Sequence, residues 1–583
     1  MLPHINTPFD YISGILGAST DELKLISSFL LSYPLSGILK RIPDGKPWQK
    51  NVFIISVALF YLVGLFDLWD GLRTMIWSAS GAYAISYYIE GPFMPWIGFG
   101  FLMGHLSVSH LYRQFVDQPH SIDITGAQMV MVMKLSAFCW NVHDGRLPEK
   151  DLSDHQKDRA IRAFPDALDY AGYVLFFPSL LVGPAFDFID YRSYISTSMF
   201  VLPPGTSPSS APTYRKKRKI PRSSIPSFTK AAQGLVWIFA FLKFSSWYNT
   251  EVMLSEEYMQ YWFPRRVWIL HMFGFTTRMK YYGVWSLTEG ACIMSGIGYR
   301  GIDAATKKPA WDRLENVKPW NIEFAQNSHE YLGNWNINTN HWLRNYVYLR
   351  VTPKGRKPGF KATLATFFTS AFWHGFYPGY YLTFVLASFM QHIAKNTRRL
   401  FRPFFMKPVN PSSPNEAPKP TRYKPYYDAF TTFTTQLAFS FTVAPFILLT
   451  LPASILVWAR VYFYAIIGVA ISLGFLASPG KAALQKKLRE RQQKAMGMSE
   501  EEGKEGMPPL EKIKTPAAEQ MPTLGLPDDP EKELDEIVDE VRKEVERRRK
   551  EGGGVGRGEI KGIVQEKLDM MFGDQAKQVK KEN

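Results

Sequence analysis

The sequence predicts an all-α fold: a polytopic transmembrane helical bundle followed by a charged, partly helical or disordered C-terminal tail. Three observations carry that expectation. Long apolar blocks recur through residues 1–476, whereas residues 481–583 hold one aromatic, Phe572, amid dense charge. The chain is 46% apolar and 15% aromatic, yet its mean hydropathy is slightly negative, and a membrane body with a solvated tail reconciles the two. The formal charge is +16, with basic clusters lying between apolar blocks, the pattern of cytosolic loops rather than of a nucleic-acid binder. The expected organisation is a membrane body over 1–476, interrupted by a basic Pro/Ser-rich loop at 203–227, and a cytosolic tail over 477–583 with short amphipathic helices.

Residues 1–23 contain no Lys or Arg. No basic segment precedes an apolar core there, so no cleavable signal peptide is expected. Leu25–Leu39 is an apolar run broken by Pro34, and Lys40, Arg41, Lys46 and Lys50 follow it. This asymmetry places the N-terminus in the lumen and the first loop in the cytosol. Further spans are expected at Asn51–Leu68, Met75–Ile89 and Phe93–Ser109. Ile122–Trp140 reads as a helix entered through Asp123-Ile124-Thr125-Gly126, with Asp123 or Thr125 as its cap. Lys134 inside this run is expected to snorkel to the interface.

Apolar stretches continue at Tyr170–Phe186, Ala231–Trp247, Val267–Phe275, Val284–Ile297, Ala362–Ala371, Tyr380–Met390, Thr431–Leu451 and Ile455–Leu476. A lumenal start and a cytosolic tail require an odd number of spans, about nine or eleven. In the tail, Leu534, Ile537, Val538, Val541 and Val545 form one narrow apolar stripe, and Ile560, Ile563, Val564 and Leu568 form a second. Lys581 and Lys580 are the third and fourth residues counted back from the end, the spacing of a dilysine retrieval signal of the endoplasmic reticulum. Cys139 and Cys292 lie in apolar surroundings without metal-ligand spacing, so neither a disulfide framework nor a zinc site is expected.

Polar groups cluster between Gly333 and Tyr381, in a segment otherwise apolar enough for a bilayer. Ionisable groups at that depth are functional candidates. Thr339–Arg350 predicts a helix with Trp342, Leu343, Tyr346 and Val347 on one stripe, stopped by Pro353 and Gly355. Asn336 then sits at or just before the helix start. A second helix runs towards His374, and Gly375, Pro378 and Gly379 break it. An imidazole in a wet cavity there can take a proton from an attacking alcohol, while a carboxamide can orient it or stabilise an oxyanion. The plainer reading of a Trp-His pair is a hydrogen-bonded core element. His105, His110, His271, His341 and His392 read as structural or interfacial. Glu289 reads as a buried carboxylate paired with a cation, Arg278 and Lys280 being nearest in sequence. No Gly-x-Ser-x-Gly elbow with triad partners is present, which argues against a covalent serine mechanism.

Taken together, these motifs resemble the membrane-bound O-acyltransferase (MBOAT) family, in its fungal lysophospholipid acyltransferase branch. The carriers are Asp123-Ile124-Thr125-Gly126 with Met129 and Lys134, and Ser179-Leu180-Leu181-Val182-Gly183-Pro184. Further on come Tyr281-Tyr282 with Trp285, Glu289-Gly290-Ala291, the run from Trp335 to Arg344, and Phe372-Trp373-His374-Gly375 with Pro378-Gly379-Tyr380-Tyr381. The resemblance implies a helical bundle enclosing a reaction chamber, with His374 and Asn336 catalytic. It implies substrate contacts from Trp335, Asn338, Asn340, Trp342, Arg344, Trp373, Tyr381 and Glu289, and CoA phosphates near Arg344 and Arg350–Lys361. The implied reaction is acyl transfer from acyl-CoA, a co-substrate, to a lysophospholipid hydroxyl at sn-2. No metal or bound cofactor is implied. The implied setting is the endoplasmic-reticulum membrane, with retrieval machinery contacting Lys580 and Lys581.

Two rival readings remain at this level. One is a family member acting on a sterol, diacylglycerol or a protein. The other is a transporter or scramblase, which should show repeated halves with matching broken segments; the Trp-Asn and Trp-His-Gly motifs occur once each.

Overall fold

Helices make up nearly all of the regular structure in the computed structural model, which describes residues 5–16, 19–116, 123–207, 209–352, 360–408 and 418–496. Among the described residues the only paired strands are the short Gly301–Ile302 and Pro309–Ala310. Two compact units are present: Met1–Tyr346 with Thr366–Leu524, and Val347–Ala365 with Gly525–Asn583. The apolar stripes of the tail, and Lys580 and Lys581, lie outside the described residues.

The apolar blocks form helices largely where hydropathy places them. Thr20–Leu39 is capped by Ser19, which exchanges hydrogen bonds with Glu22. Contrary to expectation, Pro34 does not break this helix. Serine hydroxyls at 28 and 32 bond backbone carbonyls in the preceding turn, and the chain stays helical through Leu39. Pro47–Leu59 continues as a π-helical turn over Phe60–Leu65. Trp69–Tyr88 and Met94–Val116 follow.

The central helix, Thr125–Arg146, is buried on nearly every side. Asp123 accepts from the Thr125 amide at 3.1 Å and its hydroxyl at 2.7 Å, but the N-cap position falls on Ile124, so neither Asp123 nor Thr125 is the cap that the sequence predicts. Lys134 does not snorkel. It is 3% exposed and donates to the Tyr173 carbonyl, with the Tyr173 and Phe186 rings 4.4 and 4.6 Å from its nitrogen. A carbonyl and two ring faces satisfy the ammonium where no interface is within reach.

Tyr170–Phe186 is not a span. A helix over Ala167–Val174 gives way to a 3-10 turn over Phe177–Ser179, a further turn through Val182 and irregular chain from Gly183 to Asp187. Conversely, Val267–Phe275 and Val284–Ile297 belong to one long helix, Phe263–Ser295. It runs antiparallel to the helix Ser224–Ser245, because Ser227 bonds Gly290 while Trp237 packs on Tyr282. Glycines bring these two backbones together. A Cβ on Gly234 would stand 2.9 Å from the Gly283 carbonyl oxygen, and one on Gly283 would stand 3.0 Å from the Ile238 nitrogen.

Among the described residues three helices are long and apolar enough to cross a bilayer: Pro47–Leu65, Ser224–Leu254 and Lys424–Leu448. The pair Leu451–Arg460 and Tyr464–Ala477, bent by 77°, adds a fourth if it counts as one span. That is fewer than the nine or eleven expected, because other long helices carry buried polar groups that lower their hydropathy, such as Gln128, Lys134, Arg278 and Glu289. At one end of the bundle the two basic loops interlock. Lys40 donates to the Pro221 carbonyl, Arg218 to the Arg41 carbonyl, and the Lys219 amide to Asp44.

Gly283→Leu should overpack the joint between the antiparallel helices by about 1–3 kcal/mol. Thermal unfolding in detergent should therefore fall by several degrees, with Gly283→Ala affected less.

Candidate active site

The histidine helix, Phe360–His374, ends at its name residue, and Gly375 follows with φ +119°. That backbone conformation suits glycine, and a Cβ there would also stand 3.1 Å from the His110 ring. The exit helix, Pro378–Phe401, then turns back. His374 is half-buried among rings: Trp373 at 4.7 Å, Phe446 at 4.9 Å, Phe384 at 5.4 Å and Tyr380 at 5.6 Å between centroids. Its peptide is fixed on both sides. His110 Nε2 lies 3.0 Å from the Trp373 carbonyl oxygen, and the Gly375 amide bonds the Ala371 and Phe372 carbonyls.

The asparagine helix, Ile337–Leu343, starts from Asn336, which adopts the left-handed conformation at φ 46°, ψ 55°. Asparagine tolerates that region better than other residues with a Cβ. Its side chain makes no cap bond to the helix. Instead Asn336 Oδ1 accepts from the Thr339 hydroxyl at 2.8 Å, which leaves the amide hydrogens pointing away from that contact. Beyond Leu343 the chain continues as a π-helical turn, Arg344–Tyr348, rather than the uninterrupted α-helix expected. The predicted stripe is buried throughout: Trp342, Leu343, Tyr346 and Val347 are all below 5% exposure.

One face of the central helix holds both elements. Met129 O accepts from the Trp373 indole at 3.0 Å, Met133 Sδ lies 3.3 Å from the Thr339 hydroxyl, and Ser136 Oγ accepts from the Trp342 indole at 2.8 Å. Positions i, i+4 and i+7 lie on one helix face, and the seven-residue interval rises about 10 Å. The Trp342 and Trp373 rings consequently sit 5.9 Å apart. The helix Lys424–Leu448 touches both elements as well, through Phe446 beside His374 and Phe439 stacked 4.0 Å from Tyr331, just upstream of Asn336.

The remaining sequence candidates divide by what their polar atoms meet. Trp335 packs its ring on Tyr281, Tyr282 and Trp285 of the long helix. Asn340 donates to the Leu332 and Trp335 carbonyls, and Asn338 to Asn316 Oδ1 and the Glu315 carbonyl. Those amides hold the turn together. Tyr381 is half-buried, with its ring 6.4 Å from Phe368. Arg344 is exposed, with a 3.4 Å bond to Asn345, and residues 353–359 of the basic turn lie outside the described residues.

Glu289 is 1% exposed and pairs with Lys230 at 2.9 Å. The expected partners were Arg278 and Lys280, but Arg278 is held by both oxygens of Glu323 at 2.7 Å. Antiparallel packing, not proximity in sequence, selects Lys230. His110, read as structural, holds the Trp373 carbonyl, whereas the parts played by Lys230, Asn316 and Thr339 escaped the sequence reading. Only Thr339 carried a signal, as a hydroxyl one helical turn after Asn336.

A helical membrane bundle that gathers a half-buried imidazole and a strained asparagine around one central helix defines a class of intramembrane protein with a polar centre. The comparisons with known proteins give that class a family. Residues 117–412 match the model for the MBOAT, membrane-bound O-acyltransferase, family, and the chain belongs to it. It is 45% identical over 487 residues to the lysophospholipid acyltransferase of Schizosaccharomyces pombe, covering 84% of this chain and 92% of the relative. It is 41% identical over 475 residues to the lysophospholipid acyltransferase of Saccharomyces cerevisiae, covering 79% and 75%. Human membrane-bound glycerophospholipid O-acyltransferase 2 is 28% identical over 428 residues, covering 72% and 78%. The family resemblance read from the motifs is thereby confirmed.

Thr339→Val keeps the side chain's shape but removes the hydroxyl that fixes Asn336, a bond worth about 1 kcal/mol net. Acyl transfer by membranes carrying it should fall about fivefold or more, while Thr339→Ser stays near the parent rate.

Proposed function

We propose that the chain is an acyl-CoA:lysophospholipid O-acyltransferase that re-acylates a lysophospholipid at its sn-2 hydroxyl, with His374 and Asn336 as its catalytic pair. The observation that carries the reading is the shared face of the central helix, where Met129, Met133 and Ser136 hold the neighbours of both residues. The similarity to the fungal lysophospholipid acyltransferases supports the substrate class.

In this reading the lysolipid hydroxyl attacks the thioester carbonyl carbon of acyl-CoA. The His374 imidazole takes the hydroxyl proton as the new C–O bond forms, help worth roughly 10²–10⁴-fold in rate. The Asn336 amide donates to the oxygen that becomes negative. The tetrahedral intermediate collapses with cleavage of the C–S bond, and the imidazolium returns its proton to the CoA thiolate. The products are a diacyl phospholipid and free CoA. Tyr380, Phe384 and Phe446, packed around the imidazole, keep bulk water from competing for the acyl group.

Trp335, Trp342, Trp373 and Tyr381 are assigned to the walls of the site, and Arg344 with the following basic turn to CoA phosphates. Asn338, Asn340 and Glu289 hold the chain rather than the substrate. The protein is placed in the endoplasmic-reticulum membrane, N-terminus lumenal and C-terminus cytosolic, with its two interlocked basic loops on the cytosolic side. Residues 477–583 are assigned as a cytosolic tail that offers Lys580 and Lys581 to retrieval machinery.

His374→Ala should leave protein abundance near the parent level and abolish acyl-CoA consumption by membranes given lysophospholipid. Purified protein offered one labelled acyl-CoA with a panel of lysolipids, a sterol and diacylglycerol should label only the lysolipids. Turnover retained by His374→Ala, or label on sterol or diacylglycerol alone, refutes the assignment.

A further inference from the structure

Three charges from three separate elements meet beneath the asparagine turn. Lys230, on Ser224–Ser245, lies 2.9 Å from Glu289 Oε1, 3.1 Å from its Oε2 and 3.3 Å from Glu315 Oε1. Glu289 comes from the long helix and is 1% exposed. Glu315 belongs to the loop before Pro319 and also meets Lys318 at 3.3 Å. A cation shared between two carboxylates fixes their separation, and its removal leaves like charges facing each other.

That loop grips the turn through backbone groups and through the Asn316 and Asn338 side chains. The Ile337 amide donates to the Asn316 carbonyl at 2.9 Å, and the Asn338 amide to Asn316 Oδ1 at 3.1 Å. The Asn338 side chain reaches Asn316 Oδ1 at 3.0 Å and the Glu315 carbonyl at 3.3 Å, while the Lys318 amide donates to the Asn334 carbonyl at 3.1 Å. The bonds thus bracket Asn336 on both sides, where the backbone takes the left-handed conformation. Such a conformation persists only when its surroundings over-determine it.

We propose that Lys230, Glu289 and Glu315 form a positioning clamp that sets the loop 315–318, and through it the left-handed turn that presents Asn336. Glu289 is then a positioning residue acting through Lys230, not a substrate contact. This rests on the reading of Asn336 as part of the catalytic pair. The clamp itself is a statement about backbone rigidity and is tested separately from turnover.

The test uses the full chain in detergent or nanodiscs, with Lys230→Met, Lys230→Arg and Glu315→Gln. Hydrogen exchange is followed by mass spectrometry over peptides spanning 333–343, and steady-state turnover is measured with varied lysolipid and acyl-CoA. Lys230→Met should speed exchange at the Ile337 and Asn338 amides at least tenfold, leaving peptides of the central helix unchanged. Its kcat should fall about tenfold or more, a loss in keeping with misplacement by a fraction of an ångström, with KM for both substrates near the parent values. Lys230→Arg should restore both readouts. Glu315→Gln, close in shape and on the loop itself, should show the same local exchange if Lys230→Met accumulates poorly.

Unchanged exchange at 333–343 in Glu315→Gln overturns the clamp. So does a raised lysolipid KM at parental kcat in the Lys230 variants, which would return Glu289 to the substrate. If exchange responds as stated but His374→Ala retains activity, the clamp stands and the catalytic assignment falls.

Discussion

The arrangement depends on one helix face. Met129, Met133 and Ser136 of the central helix offer a carbonyl, a thioether and a hydroxyl at successive turns. Each meets a group from a chain segment more than 200 residues away. A polar atom buried at membrane depth has few partners available, so these contacts fix the register of the asparagine and histidine helices against the same support. The buried indoles Trp342 and Trp373 serve twice, as donors to the central helix and as packing surface against each other.

The second constraint is local and strained. Asn336 holds a left-handed conformation, with its oxygen fixed by Thr339 and its flanking amides by Asn316. Asn340 closes the turn from the other side through the Leu332 and Trp335 carbonyls. The clustered asparagines thus have separate duties: Asn316, Asn338 and Asn340 bond the chain through their side chains, and the Asn336 oxygen accepts from Thr339. Lys230 and its two carboxylates extend this rigidity to the long helix. Replacing water by such fixed dipoles is how a polar centre works within an apolar body.

Much of this was legible in the sequence, for identifiable reasons. Hydropathy located most long helices, and the family motifs marked segments that the central helix brings together, because both depend on residue type at short range. The Asp123 entry and the breaks at Gly375 and Pro378 follow from local backbone chemistry. What failed was long-range. Lys134 looked like a snorkelling cation because its partners, Tyr173 and Phe186, lie 39 and more residues away. Glu289 was matched to neighbours in sequence, whereas antiparallel helix packing brings Lys230. Lys230 and Asn316 gave no signal because their roles exist only once distant elements have met.

The central claim is that His374 and Asn336 face one reacting carbon. A structure of the protein with lysophospholipid and an uncleavable ketone analogue of acyl-CoA tests it most directly. The account predicts the ketone carbon between the two side chains, with the lysolipid hydroxyl about 3–3.5 Å from that carbon and within hydrogen-bond reach of the imidazole. Density for the analogue's carbonyl elsewhere, with either side chain turned to the lipid-facing surface, would contradict it.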